Sequence, residues 1–199
     1  MAKKIICFVH GVGNQHPGFS KPLSTLVAQQ TNTTCIEHLW QHQIDELPHA
    51  IKKAQGFRNL CGEIILDFAY VVLNYKTLTE QLPEADMYVG HSAGSIIIAE
   101  KTHKVLLGSP LELFRKSIIS SQIKSLSNTS ITKSIHTTLN IFNPYDPIAF
   151  ELANAQNKTL QLKWYQDAYY RINPYAAHTN YWDNHSIATD ISKWFSRIS

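Results

Sequence analysis

Cysteine is scarce in this chain and shows no pairing pattern. The 199 residues hold three, Cys7, Cys35 and Cys61. An odd number with no CxxC spacing and no Cys/His ligand pattern excludes a disulfide framework or a zinc site as the natural reading. Long apolar runs are also missing: no stretch approaches the ~18 residues that a membrane-spanning helix needs. The run Ile5-Ile6-Cys7-Phe8-Val9 ends at His10, whereas the apolar core of a secretory signal takes about 7 to 15 residues. It therefore reads as a short buried strand, and the expected location is the cytoplasm. The Asn-x-Ser/Thr sequons at Asn32, Asn128, Asn157 and Asn184 have no meaning there. An excess of one charge is lacking too. Eighteen Lys and Arg against 15 Asp and Glu leave +3, scattered apart from Lys3-Lys4 and Lys52-Lys53, which is no nucleic-acid footprint. There is no internal repeat or low-complexity tract.

What is present is an ordinary globular balance, 44% hydrophobic and 17% charged residues, enough for one sizeable core. One domain is expected over residues 1–199. Buried-strand patterns alternate with helical ones, the signature of a parallel sheet covered on both faces. Ile5–Val9 predicts the first strand, residues 22–27 a helix and Cys35–Trp40 a second strand. The spacing of Ile65, Phe68, Ala69, Val72 and Leu73 predicts a long amphipathic helix over 64–82 that leads to a strand at Met87–Val89. A helix is expected over 95–104, strands at Val105–Pro110, Thr138–Phe142 and Leu160–Tyr165, and a closing helix carrying Ile187, Ile191, Trp194 and Phe195. Residues 111–136 are Ser/Thr/Lys-rich and read as a helix plus loop or as a small cap over a site.

Gly90-His91-Ser92-Ala93-Gly94 sits between a predicted strand and a predicted helix. A Gly-x-Ser-x-Gly turn holds its serine in a strained conformation, which small flanking residues permit by letting strand and helix pass closely. The alternative is a plain strand-to-helix turn, so the neighbours matter. His10-Gly11-Val12-Gly13 follows the first strand, where a second oxyanion donor is required; the amides of Val12 and Ala93 are the candidate pair. His10 itself reads as a structural residue of that loop. The acid and base of such a site follow the serine in the order Asp, His. Asp146 ends a strand between Pro144 and Pro147, with Asp167 as the second candidate. His178, in the loop before the closing helix, is preferred as base over His185, which opens that helix where the positive helix end opposes an imidazolium.

With these pieces in order the chain resembles the α/β-hydrolases, over nearly its whole length. More narrowly it is similar to lipase-like serine esterases that carry Leu-Gly-Ser-Pro-Leu after the elbow (residues 107–111), Asn-x-x-Asp-Pro (residues 143–147) and His-x-x-Tyr-Trp (residues 178–182). That resemblance implies a reduced sheet of about six mostly parallel strands with helices on both faces. It also implies cleavage of a small-molecule or lipid ester by Ser92, Asp146 and His178 without cofactor or metal, and it favours His178 over His185. The same residues would serve a thioesterase or an amidase, and a catalytically silent binding protein is the alternative of another class. No protein partner is indicated.

Overall fold

A computed structural model describes residues 3–12, 16–40, 57–116 and 137–198. Gly13 and residues 117–136, the greater part of the expected cap, lie outside the described residues. The chain runs β1 (Ile5–Val9), α1 (Lys21–Thr31), β2 (Thr34–His38), α2 (Phe57–Glu80), β3 (Met87–His91), α3 (Gly94–Ile97), β4 (Lys104–Leu107) and α4 (Leu111–Lys116). It continues through β5 (Thr138–Phe142), β6 (Gln156–Thr159), α5 (Trp164–Ile172), α6 (Pro174–Thr179) and α7 (His185–Ile198). The six strands form one sheet in the order β2-β1-β3-β4-β5-β6, with every neighbouring pair parallel. The expected architecture is therefore the observed one.

The alternation of side chains along each strand sends them to two cores. Cys7 and Val9 of β1 pack with Val71, Tyr75 and Leu78 of α2 and with Ile96 and Ile97 of α3. Ile6 and Phe8 pack on the opposite face with Leu23 and Val27 of α1 and Ile187, Ile191 and Trp194 of α7. β1 has β2 on one side and β3 on the other, so the strand order reverses between β1 and β3. In open parallel sheets the crevice at such a reversal, beyond the carboxyl ends of the strands, is where ligands bind.

The helix expected over 95–104 is one short turn, Gly94–Ile97, and the next strand already begins at Lys104. No strand forms over Leu160–Tyr165. The last strand is Gln156–Thr159, which is mostly exposed because it closes the edge of the sheet. Leu160 and Leu162 instead pack inward from the connection that follows, and helix α5 begins at Trp164. Trp164, Tyr165, Tyr169 and Ile172 of α5 stand exposed. Among the described residues, no helix is long and apolar enough to cross a membrane.

Lys104 is a charge inside the sheet, 3% exposed, and its ammonium donates to the Lys101 carbonyl at 2.7 Å. Burial pushes its pKa down from 10.5 to about 8. The folded value lies below the unfolded one, so the buried charge costs stability at pH 7 and the cost fades as pH rises from about 8 to 10.5. Lys104→Met is expected to be more stable than wild type by on the order of 2 kcal/mol at pH 7. Urea titrations at pH 7 and pH 10 check it: the gap must narrow at the higher pH, and a gap independent of pH would contradict the assignment.

Candidate active site

Ser92 follows the last residue of β3 with φ +52, the left-handed region that costs a residue with a Cβ about 1–2 kcal/mol. The surroundings hold it there. Its N–H bonds the Leu107 carbonyl at 3.0 Å, and the Ser95 hydroxyl donates to its carbonyl at 2.5 Å. The flanking glycines allow the close approach: a Cβ on Gly90 would lie 2.7 Å from the Gly94 carbonyl oxygen, and one on Gly94 2.5 Å from that of Val9. The loop after β1 reaches the same point, since a Cβ on Gly11 would lie 2.6 Å from the Ser92 Cβ. That loop is anchored by His10, which is fully buried, stacks on Trp40 at 5.0 Å between centroids, and has its carbonyl held by the Trp40 indole N–H at 2.9 Å. His10 thus has the structural place read from its position. Val12 follows Gly11, and Ala93 opens the turn into α3.

The Ser92 hydroxyl lies 2.9 Å from Nε2 of His178, whose Nδ1 lies 2.8 Å from Oδ2 of Asp146. Asp146 Oδ1 accepts the Ile148 N–H at 3.1 Å. The Asp146 carboxylate is fully buried and the His178 side chain is 17% exposed, so solvent meets the series at the imidazole, beside a buried Ser92. His178 is not in a plain loop: it lies near the end of the short helix α6, which starts at Pro174 and whose entry is capped by Asn173 accepting the Ala176 N–H. His185 opens α7 and is exposed. Asp167, the second acid candidate, bonds the Tyr145 hydroxyl at 2.6 Å and Arg171 at 3.1 Å. It braces the residue beside Asp146 from α5.

Two contacts escaped the sequence. His91 Nε2 lies 2.7 Å from the backbone carbonyl of His178; a carbonyl can only accept, so Nε2 carries the hydrogen. Burial above all, then the adjacent His178, pushes the His91 imidazole down to about 3. It is thus a neutral strut that holds the chain at His178. Tyr181 donates its hydroxyl to Asp146 Oδ2 at 2.8 Å. Neither contact has a sequence signal, because the partners are 87 and 35 positions apart. Among the described residues, no three His, Cys, Asp or Glu side chains converge to hold a metal ion.

Set against solved structures, the chain is similar to the ydeN gene product from B. subtilis, with 13% identity, 98% of this chain and 100% of that one covered, and a TM-score of 0.51. It also aligns with dienelactone hydrolase from Anabaena variabilis, at 17% identity over 98% of this chain and 86% of that one, with a TM-score of 0.46. The sequence matches no family model and has no significant match among curated proteins. At 13% identity the likeness speaks to the fold alone: the chain has the α/β-hydrolase fold, in a six-stranded form.

Proposed function

We propose that the protein is a serine hydrolase that cleaves carboxylic esters through an acyl-enzyme formed on Ser92. The observation that carries this reading is the unbroken series from Ser92 Oγ to His178 Nε2 and from His178 Nδ1 to Asp146 Oδ2, at 2.9 and 2.8 Å, beside a serine held at φ +52.

In this reading Ser92 Oγ attacks the ester carbonyl while His178 Nε2 takes its proton. The carbonyl electrons move to oxygen, and the amides of Val12 and Ala93 stabilise the resulting oxyanion. Asp146 fixes the tautomer in which Nδ1 carries the hydrogen and stabilises the imidazolium. His178 then gives the proton to the leaving alcohol as the tetrahedral intermediate collapses to the acyl-enzyme. Water, deprotonated by the same imidazole, releases the acid and restores Ser92. The reaction closes without a cofactor. The substrate class is a small-molecule or lipid ester.

A fluorophosphonate probe tests the reading. The folded protein is expected to lose one Ser92-containing peptide to a phosphonylated form in mass spectra, with p-nitrophenyl ester hydrolysis falling in proportion. Folded protein that stays unlabelled and does not cleave the ester would leave a binding protein on a hydrolase scaffold. A panel of acyl esters of increasing chain length then ranks substrates.

A further inference from the structure

Tyr181 lies three residues beyond His178 and is 1% exposed. Its ring packs against His91 with centroids 5.3 Å apart. Its hydroxyl accepts the Asn143 N–H at 2.9 Å and donates to Asp146 Oδ2 at 2.8 Å. The oxygen that holds the imidazole therefore takes two donors, His178 Nδ1–H and the phenol. The neighbourhood is shaped for this contact: Gly108 has φ +57, and a Cβ there would lie 2.9 Å from Asp146 Oδ2 and 3.0 Å from the Tyr181 ring.

We propose that Tyr181 is a positioning residue whose hydroxyl orients the Asp146 carboxylate and, by sharing Oδ2 with His178, sets the pH range over which His178 acts as a base. The proposal rests on the serine-hydrolase reading above. A hydrogen bond donated to a carboxylate draws charge from it and weakens its hold on an adjacent imidazolium. Burial first, and then the Asp146 charge, pushes the Tyr181 phenol well above its ordinary pKa, so it remains a donor. The titratable groups facing this trio are His91 from β3, which in turn feels His10 from the loop after β1, and Tyr170 from α5. His91 is neutral throughout the working range.

The experiment compares wild type, Tyr181→Phe and a protein in which Tyr181 is replaced by 3-fluorotyrosine, a stronger donor that keeps both hydrogen bonds. The profile of kcat/KM against pH is recorded for p-nitrophenyl acetate, with active sites counted by fluorophosphonate titration. For Tyr181→Phe the acid limb is expected to move to higher pH by about half a unit to one unit, with kcat about tenfold lower and KM little changed. For 3-fluorotyrosine the limb is expected to move to lower pH. A merely structural tyrosine gives no opposed shifts, so superimposed profiles, or two shifts in one direction, overturn the proposal. If Tyr181→Phe does not fold, the fluorotyrosine shift decides. A nitrogen-15 NMR titration of His178 in the same proteins reads the shift without turnover. Wild type that neither labels nor hydrolyses sinks the hydrolase reading, whereas labelled variants that titrate like wild type sink only the role of Tyr181.

Discussion

On the proposed serine-hydrolase reading, Ser92→Ala is expected to cleave a p-nitrophenyl ester at least about 10⁴-fold more slowly than wild type, and His178→Ala to fall by a similar factor. The proposed mechanism implies the near-equality: in it the hydroxyl becomes nucleophilic only as His178 Nε2, 2.9 Å away, takes its proton. Without its partner each residue has little left to contribute. The double variant is accordingly no slower than either single one by more than a small factor, since three residues acting as one unit do not lose rate additively. Asp146→Asn is expected to keep the fold and still lose about 10³- to 10⁴-fold, because an amide can hold the wrong imidazole tautomer. Steady-state kinetics on protein of unchanged thermal midpoint checks all four, and additive losses in the double variant would argue against a shared mechanism.

Gly94→Ala carries the second large effect, and it falls on stability. An added Cβ would lie 2.5 Å from the Val9 carbonyl oxygen and 2.6 Å from that of His10. Both obstacles are backbone, and the His10 carbonyl is already tied to Trp40. No side chain can swing away, so α3 must separate from β1 and the core that Cys7 and Val9 share with Ile96 and Ile97 loses packing. A loss of about 3 kcal/mol or more in urea denaturation is expected, with activity lost alongside. Gly18→Ala is the comparison. Its φ is +91, yet the nearest atom to a new Cβ is Cδ of the flexible Lys21 side chain at 3.7 Å, so backbone strain alone costs about 1 kcal/mol. Equal midpoints for the two variants would show that the close approach at the elbow is not what requires Gly94.

Legibility followed local pattern. β1, α1, α2, β3, β5 and α7 stand close to where apolar periodicity predicts them, because each buries a face whose repeat is written in consecutive residues. β6 was hidden because an edge strand of Gln156, Asn157, Lys158 and Thr159 carries no apolar signal. The alternation of Leu160 and Leu162 beside it imitated one. The helix after the elbow is shorter than its sequence suggests for a related reason: Ile96, Ile97, Ile98 and Ala99 are all fully or almost fully buried, and burial all round leaves no periodicity that marks where the helix stops.

By itself the sequence determined the serine turn, the glycine loop, the acid-bearing Pro-flanked loop and their order on a parallel sheet, since each is a short contiguous pattern. Only the tertiary structure decided which histidine meets Ser92 and which acid meets that histidine. Asp146 and His178 stand in the hydrogen-bond series, while Asp167 braces Tyr145 and His185 faces solvent. It alone revealed His91 holding the chain at His178 and Tyr181 sharing the carboxylate. The reason is distance along the chain: these bonds join residues 32, 35, 86 and 87 positions apart. Such partners are brought within 3 Å by the packing of the sheet and its helices, which no local spacing encodes.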